Sequence, residues 1–127
     1  MGIEVVDSFF PPEIAEFVSK FVIYDAEYKY GESDNEGNEN DPRKPTGMVH
    51  NIFFADKPEA TKDSNKLIFD CFKTGIEHKY PGYWDKFDIY RMYVNVFAPR
   101  EYAYFHQDAD PEQEQNTFLY YPIHDGW

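Results

Sequence analysis

Apolar residues recur at helical spacing in two segments of the chain. The first segment follows Pro11 and Pro12, which suit the first turn of a helix, and runs to about Ile23. The second spans roughly Thr61–His78 and ends before Pro81. The residues expected on the core-facing sides are Ile14, Phe17, Val18, Phe21 and Val22 in the first helix, and Leu67, Ile68, Cys71, Phe72 and Ile76 in the second.

Segments rich in β-branched and aromatic residues predict strands. The clearest is 87–97, where Arg91, Tyr93 and Asn95 project to the same side because side chains alternate along a strand. The other predicted strands are residues 3–10, 24–30, 48–54, 102–108 and 116–121. Residues 31–47 are rich in Gly, Asn, Asp, Glu and Pro, so we expect a loop there.

The order of these elements predicts an α+β fold. Two helices followed by a run of strands are typical of helices packed on one face of a sandwich or barrel. A chain of 127 residues is also the size of a single domain. We expect residues 1–86 to form supporting helices and strands, and residues 87–127 to form the strand-rich part that carries the candidate site.

The composition narrows the classes of function. Apolar residues make up 42% of the chain and aromatic residues 20%, which is enough for a folded core. The net charge of −12 disfavours nucleic acid and membrane surfaces as partners, because both carry negative charge. Cys71 is the single cysteine, so no intrachain disulfide can form. No leader and no membrane-length apolar run are visible, so we expect a cytoplasmic protein.

The candidate site is the pair His106 and Asp108. On a strand, residues two apart point to the same face, so the imidazole and the carboxylate can reach the same point. Two histidines and one carboxylate leave one face of an octahedral iron open for a cosubstrate and O₂. A single His-x-Asp pair is nevertheless a weak signal, since a strand histidine beside an exposed acid has the same spacing.

The residues around this pair carry a family resemblance. A Tyr-rich strand at 90–97 leads through a turn containing Pro99 to His106-Gln107-Asp108, and a polar turn is followed by a strand that ends in Tyr120-Tyr121. This order resembles iron(II)- and 2-oxoglutarate-dependent dioxygenases of the prolyl-4-hydroxylase-like branch. The resemblance implies the first strands of a double-stranded β-helix, a jelly-roll or cupin-like fold, preceded by supporting helices.

The resemblance also implies roles for individual residues. His106 and Asp108 match the first two iron(II) ligands, and Tyr121 matches a position that commonly holds the far carboxylate of 2-oxoglutarate. Tyr93 and Asn95 are expected to line the same pocket. The alternative for each tyrosine is plain core packing, and Tyr120 is expected to point into the core.

The sequence departs from the family's pattern in two places. The first is at the C-terminal end: the distal histidine ligand and the basic residue that pairs with 2-oxoglutarate belong to later strands, whereas this chain ends at Trp127, so we expect only the N-terminal half of the family's fold. The residues that could substitute are His50 and His124 for the ligand, and Arg91 and Arg100 for the carboxylate partner. The family's glycine before the His-x-Asp motif is also replaced, by Ala98 to Glu101.

The resemblance therefore implies an oxidoreductase that uses Fe(II) and the cosubstrate 2-oxoglutarate to hydroxylate a protein or peptide substrate, peptidyl proline-like by resemblance. The alternative is an inactive fragment, or a non-catalytic binding module on the same scaffold, that lacks the third iron ligand. A half-barrel has open sheet edges, so we expect it to form a homodimer, to form a strand-swapped assembly, or to be marginally stable.

Overall fold

The described part of the protein contains two α-helices and a short antiparallel sheet. The computed structural model describes residues 2–30, 47–58, 62–97 and 114–123. The elements are α1 (Pro12–Lys20), β1 (Lys29–Tyr30), β2 (Met48–Phe54), α2 (Asp63–Lys79) and β3 (Arg91–Val96). The α+β class predicted from the sequence is confirmed at this level. Within the described ranges the sheet is not closed and forms no jelly roll.

The chain divides into two compact units by its internal contacts. One unit comprises Met1–Ala26 and Asn51–Tyr93, and the other comprises Glu27–His50 and Val94–Trp127. The first therefore contains both helices. The predicted organisation as a single domain stays a prediction.

Helix α1 begins where the proline pair predicts. Pro12 occupies its first turn together with Glu13, and Lys20 lies in its last turn, which suits the helix dipole at both ends. The chain then continues as a π-helical turn, Phe21–Asp25, closed by a hydrogen bond of 2.9 Å from the Ala26 N–H to the Phe21 carbonyl. The helical segment thus extends two residues beyond the predicted end at Ile23.

Helix α2 spans Asp63–Lys79, close to the predicted range. Its end is set by Pro81 and Gly82, and Gly82 has a φ of +81°, which only glycine adopts without strain. The Gly82 N–H donates to Glu77 Oε1 at 2.8 Å. The 3₁₀ turn Tyr83–Asp85 follows, and Trp84 Nε1 donates to the Lys73 carbonyl at 3.1 Å. The turn is thereby fastened back onto α2.

The strands follow one another in the order β1-β2-β3. In the second unit β1 pairs antiparallel with β2, with Lys29 opposite Val49 and Tyr30 opposite Met48. In the first unit, Ala55 directly follows β2 and Tyr90 directly precedes β3. The Ala55 N–H donates a hydrogen bond of 2.9 Å to the Tyr90 carbonyl. This bond holds the end of β2 next to the start of β3.

The core of the first unit lies where α1, α2 and β2 supply apolar side chains. Val18 and Ile68 are each 1% exposed, and Phe53 of β2 contacts Phe69 of α2 with ring centroids 4.5 Å apart. The other buried apolar residues of this unit are Phe10, Phe21, Val22, Ile52 and Ile76. Phe17 and Leu67 were predicted to face the core, but they are 41% and 58% exposed.

Several predicted strands are wrong or shorter than expected. Residues 3–10 and 116–121 have no regular secondary structure. In the predicted strand 24–30, only Lys29–Tyr30 forms a strand, and Tyr24 belongs to the π-helical turn instead. By contrast β2 matches its predicted range 48–54, while β3, Arg91–Val96, forms the later part of the predicted strand 87–97. The predicted strand 102–108 and residues 31–46 of the predicted loop lie outside the described residues.

Replacing Ser8 with glycine is expected to stabilise the protein. Ser8 has a φ of +54°, a left-handed conformation that costs a non-glycine residue roughly 1 kcal/mol. We expect Ser8→Gly to raise the free energy of unfolding by about 0.5–1 kcal/mol in urea denaturation. The control is Ser19→Gly in α1, which should lower that free energy by a few tenths of a kcal/mol, because glycine is the poorer helix former. If Ser8→Gly and Ser19→Gly changed the free energy of unfolding equally, the left-handed conformation of Ser8 would not be the cause.

Candidate functional site

The two proposed iron ligands, His106 and Asp108, lie outside the described residues, and so do Arg100 and His124. The prediction that His106 and Asp108 bind iron therefore continues to rest on the sequence motif. The cosubstrate residues predicted alongside them, Tyr93, Asn95 and Tyr121, are described.

Tyr93 and Asn95 lie on the exposed side of β3. Along Arg91–Val96 exposed and half-buried residues alternate strictly, with Met92, Val94 and Val96 on the half-buried side. The alternation predicted from the sequence is confirmed for these six residues. Tyr93 is 38% exposed, so its ring is partly covered but accessible to a ligand.

The Tyr93 ring is covered in part by a neighbour on its own strand. The guanidinium carbon of Arg91 lies 4.2 Å from the centroid of the Tyr93 ring and 5.3 Å from the centroid of the Phe54 ring. Both distances are within the range of a cation–π interaction. The sequence pattern indicated that Arg91 and Tyr93 share a side of the strand. Phe54 was not predicted to join them, because its approach depends on how β2 lies beside β3.

Tyr120 and Tyr121 lie in residues 114–123, which have no regular secondary structure. Tyr121 is 59% exposed, whereas Tyr120 is half-buried and burial raises the pKa of its phenol. Tyr120 is therefore the less exposed of the two, but it is half-buried and not among the buried core residues. Phe118, Leu119 and Ile123 of the same segment are also exposed.

His50, a candidate for the missing ligand, has a structural role in the second unit. Its Nδ1 accepts a hydrogen bond from the Glu27 N–H at 2.9 Å, and its ring meets the Tyr28 ring edge-on with centroids 6.3 Å apart. Burial raises the pKa of the Tyr28 phenol. The Glu27 carbonyl oxygen also lies 3.3 Å from the same Nδ1, so the histidine fastens the backbone of Glu27, just before β1, to β2.

Other side chains that could carry chemistry lie along α2. Cys71, predicted as a small core residue, is half-buried; its partial burial, and next the charge of Asp70, raise the pKa of its thiol. His78 lies in the last turn of the helix, as predicted. An open groove of about 400 Å³ beside the helix is lined by Lys73, Thr74, Glu77, His78 and Trp84. Its residues do not correspond to any predicted site.

Over the ranges that the structure describes, no three His, Cys, Asp or Glu side chains are grouped so that they could hold a metal ion. No helix in the same ranges is long and apolar enough to cross a membrane. Comparison of the chain with protein-family models, with curated proteins and with solved structures found no match.

Proposed function

We propose that this protein is an iron(II)- and 2-oxoglutarate-dependent oxygenase that hydroxylates a protein or peptide, with a peptidyl proline-like side chain as the substrate class. The proposal includes the finer fold, a partial double-stranded β-helix of which β3 is the first strand. The observation that carries it is the order in which β3, Pro99 and the pair His106 and Asp108 follow one another in the sequence.

The described residues support the proposal in two ways. β3 forms within the Tyr-rich segment that should precede the metal pair, and it presents Tyr93 and Asn95 on one accessible side. Tyr121 is likewise exposed and Tyr120 half-buried, as a ligand-facing and a packing tyrosine should be. Neither observation depends on the geometry of the metal pair.

The donor set suits the proposed metal. Imidazole is a good ligand for iron, and the Asp108 carboxylate would offset part of the positive charge. Bound iron(II) with 2-oxoglutarate and O₂ supplies the oxidising chemistry, which the protein itself has no group to perform. The Tyr121 phenol is suited to donate a hydrogen bond to a carboxylate of the cosubstrate while its ring packs on the methylenes.

The remaining parts of the proposal concern the setting of the site. A third ligand comes from a histidine not yet assigned, or from a second copy in a homodimer or strand-swapped assembly. A cytoplasmic location is proposed because the sequence has a single cysteine, Cys71, which suits a reducing compartment.

The proposal predicts that iron(II) and 2-oxoglutarate bind together and depend on the two proposed ligands. We expect anaerobic titration of the protein to show saturable binding of both, weakened at least about tenfold in His106→Ala and in Asp108→Ala because each loses a direct metal bond. Iron binding is followed by calorimetry, and the ternary complex by the visible absorption that a chelated 2-oxo acid gives with iron(II).

The matched controls are His78→Ala and Asp70→Ala, which remove the same side-chain types from exposed positions of α2. Both should bind iron(II) and 2-oxoglutarate as the unaltered protein does. If the His106 and Asp108 variants also bind unchanged, the metal site is not where we propose. If neither the unaltered protein nor any variant binds iron(II) and 2-oxoglutarate, the alternative is favoured, namely an inactive fragment or a non-catalytic binding module.

A further inference from the structure

The segment of residues 3–7 has the side-chain pattern of a strand. Ile3 and Val5 are 97% and 82% exposed, whereas Val6 is half-buried. Residues on opposite sides of the segment thus alternate with the period of two that is typical of a strand. Isoleucine and valine are also residue types that favour strands. The segment therefore presents two large apolar side chains almost entirely to solvent.

Two contacts hold this segment against α2. The Glu4 carboxylate accepts a hydrogen bond from the Tyr80 hydroxyl at the end of the helix, and this bond raises the pKa of Tyr80. Just beyond the segment, the Phe9 ring packs so closely on Gly75 that a Cβ there would lie 2.9 Å from it. A segment held on both sides loses less conformational freedom when it binds a partner, which favours binding.

The backbone of the segment is available for pairing. No N–H or C=O group of residues 3–7 has a hydrogen-bonding partner among the residues that the structure describes. Unpaired backbone groups beside β-branched side chains form a template to which an extended peptide can add as a strand. The segment thus lacks a neighbouring strand rather than the residues that form one.

The charges favour a basic partner. Residues 2–10 contain Glu4 and Asp7 but no Lys or Arg, and the whole chain has a net charge of −12. In a strand, Asp7 would share its side with Ile3 and Val5, and residues directly opposite one another on paired strands interact. A complementary strand would therefore place apolar side chains opposite Ile3 and Val5 and a cation opposite Asp7. The negative charge of the chain also attracts a basic peptide and repels an acidic one.

We propose that residues 3–7 are an interaction surface for a basic, strand-forming segment of a partner protein, which pairs with them through main-chain hydrogen bonds. This surface is separate from the proposed iron site and needs neither His106 nor Asp108. A second copy of this chain is the competing occupant. Its own residues 3–7 carry the same negative charges, so two such segments would repel each other where a basic segment would be attracted.

The test titrates the ¹⁵N-labelled, metal-free protein with the peptide acetyl-Lys-Thr-Val-Lys-Val-amide. The backbone amide signals of residues 3–7 should shift and saturate, and their hydrogen exchange should slow as main-chain bonds form. The same peptide with glutamate in place of both lysines should bind at least about tenfold more weakly. Two further peptides carry proline at the third or at the fourth position. The one whose lost N–H faces the protein should also bind at least about tenfold more weakly.

Variants of the protein separate charge from strand pairing. Asp7→Asn should weaken binding of the lysine peptide about two- to fivefold, the size of one exposed ion pair. Asp63→Asn makes the same charge change at the opposite end of α2, roughly 25 Å along the helix from Tyr80, and should leave binding unaltered. Val5→Lys should weaken binding at least about tenfold, whereas Val5→Thr, which keeps the β-branched shape, should have a smaller effect. Circular dichroism of each variant checks that it is folded.

Each contrary outcome overturns a stated part of the proposal. Equal binding of the lysine and glutamate peptides would overturn the basic partner, and signals of residues 3–7 that move with no peptide would overturn the surface. Dimerisation of the peptide-free protein in sedimentation equilibrium, abolished by Val5→Lys, would show that a second copy occupies the segment instead. None of these results bears on iron(II) binding by His106 and Asp108, and failure of that binding leaves the peptide titration valid.

Discussion

Replacing Ile68 with alanine is expected to lower the free energy of unfolding by about 2–5 kcal/mol, whereas Leu67→Ala should change it by less than about 0.5 kcal/mol. The two side chains are isomers and adjacent on α2, yet Ile68 is 1% exposed and Leu67 is 58% exposed. Truncating Ile68 removes buried apolar surface and leaves a cavity, while truncating Leu67 removes surface that water already reaches.

Urea denaturation followed by circular dichroism measures both changes, provided that the dependence on urea is alike in all three proteins. Alanine is the better helix former at both positions, so the intrinsic helical gain is similar in size and does not explain a difference between them. A loss of more than about 1.5 kcal/mol for Leu67→Ala would mean that this residue is covered by a partner. Equal losses would mean that the face of α2 is assigned wrongly.

The same two residues show what the sequence could predict about the helices. Both ends of α2 and the start of α1 follow from prolines, Gly82 and the helical spacing of apolar residues. Spacing alone placed Leu67 and Ile68 together in the core, because a run of apolar residues fits more than one orientation. The structure instead buries Asn65, whose Nδ2 donates to the Asn51 carbonyl at 3.4 Å, so the tertiary contact decides the face.

Strands were predicted less well than helices, for a physical reason. β2 and β3 combine β-branched and aromatic residues, and the sequence predicted both strands correctly. Residues 3–10 and 116–121 have similar composition but are not strands, because a strand also requires a neighbour whose hydrogen-bonding groups it can pair with. The local sequence shows which side chains suit a strand, but it does not show which neighbouring strand will pair with it.

The candidate site shows the same division between local and non-local information. That Arg91, Tyr93 and Asn95 share one side of β3 follows from the alternation of a strand. The contact of Arg91 with Phe54 joins residues far apart in the chain and needed the strand order to be seen. The hydrogen bond from the Glu27 N–H to His50 Nδ1 also joins residues far apart in the chain. The sequence did not predict this bond, and so His50 could be named there only as a candidate for the missing ligand.

Replacing Gly75 with alanine is expected to destabilise the protein by about 1–2 kcal/mol, although alanine is the better helix former by about 1 kcal/mol. A Cβ at Gly75 would lie 2.9 Å from the Cε1 and Cζ atoms of Phe9 and 3.1 Å from Cε1 of Phe10. These rings also contact Phe72, with the Phe10 and Phe72 centroids 5.0 Å apart. Overpacking of this kind typically costs about 1–3 kcal/mol, which exceeds the gain in helix propensity.

A second substitution turns this expectation into a test of cause. Shortening the clashing side chain in Phe9→Leu should make room for the methyl group, so Phe9→Leu with Gly75→Ala should be more stable than Phe9→Leu alone, by up to about 1 kcal/mol. Thr74→Ala, at the exposed neighbouring position, should be neutral or slightly stabilising in either background. If Gly75→Ala destabilises equally with and without Phe9, the cost arises elsewhere than from the packing of the N-terminal aromatic residues on α2. If Gly75→Ala destabilises the unaltered protein but stabilises Phe9→Leu, the glycine is required in the C-terminal third of α2 for the close approach of Phe9, despite its low helix propensity.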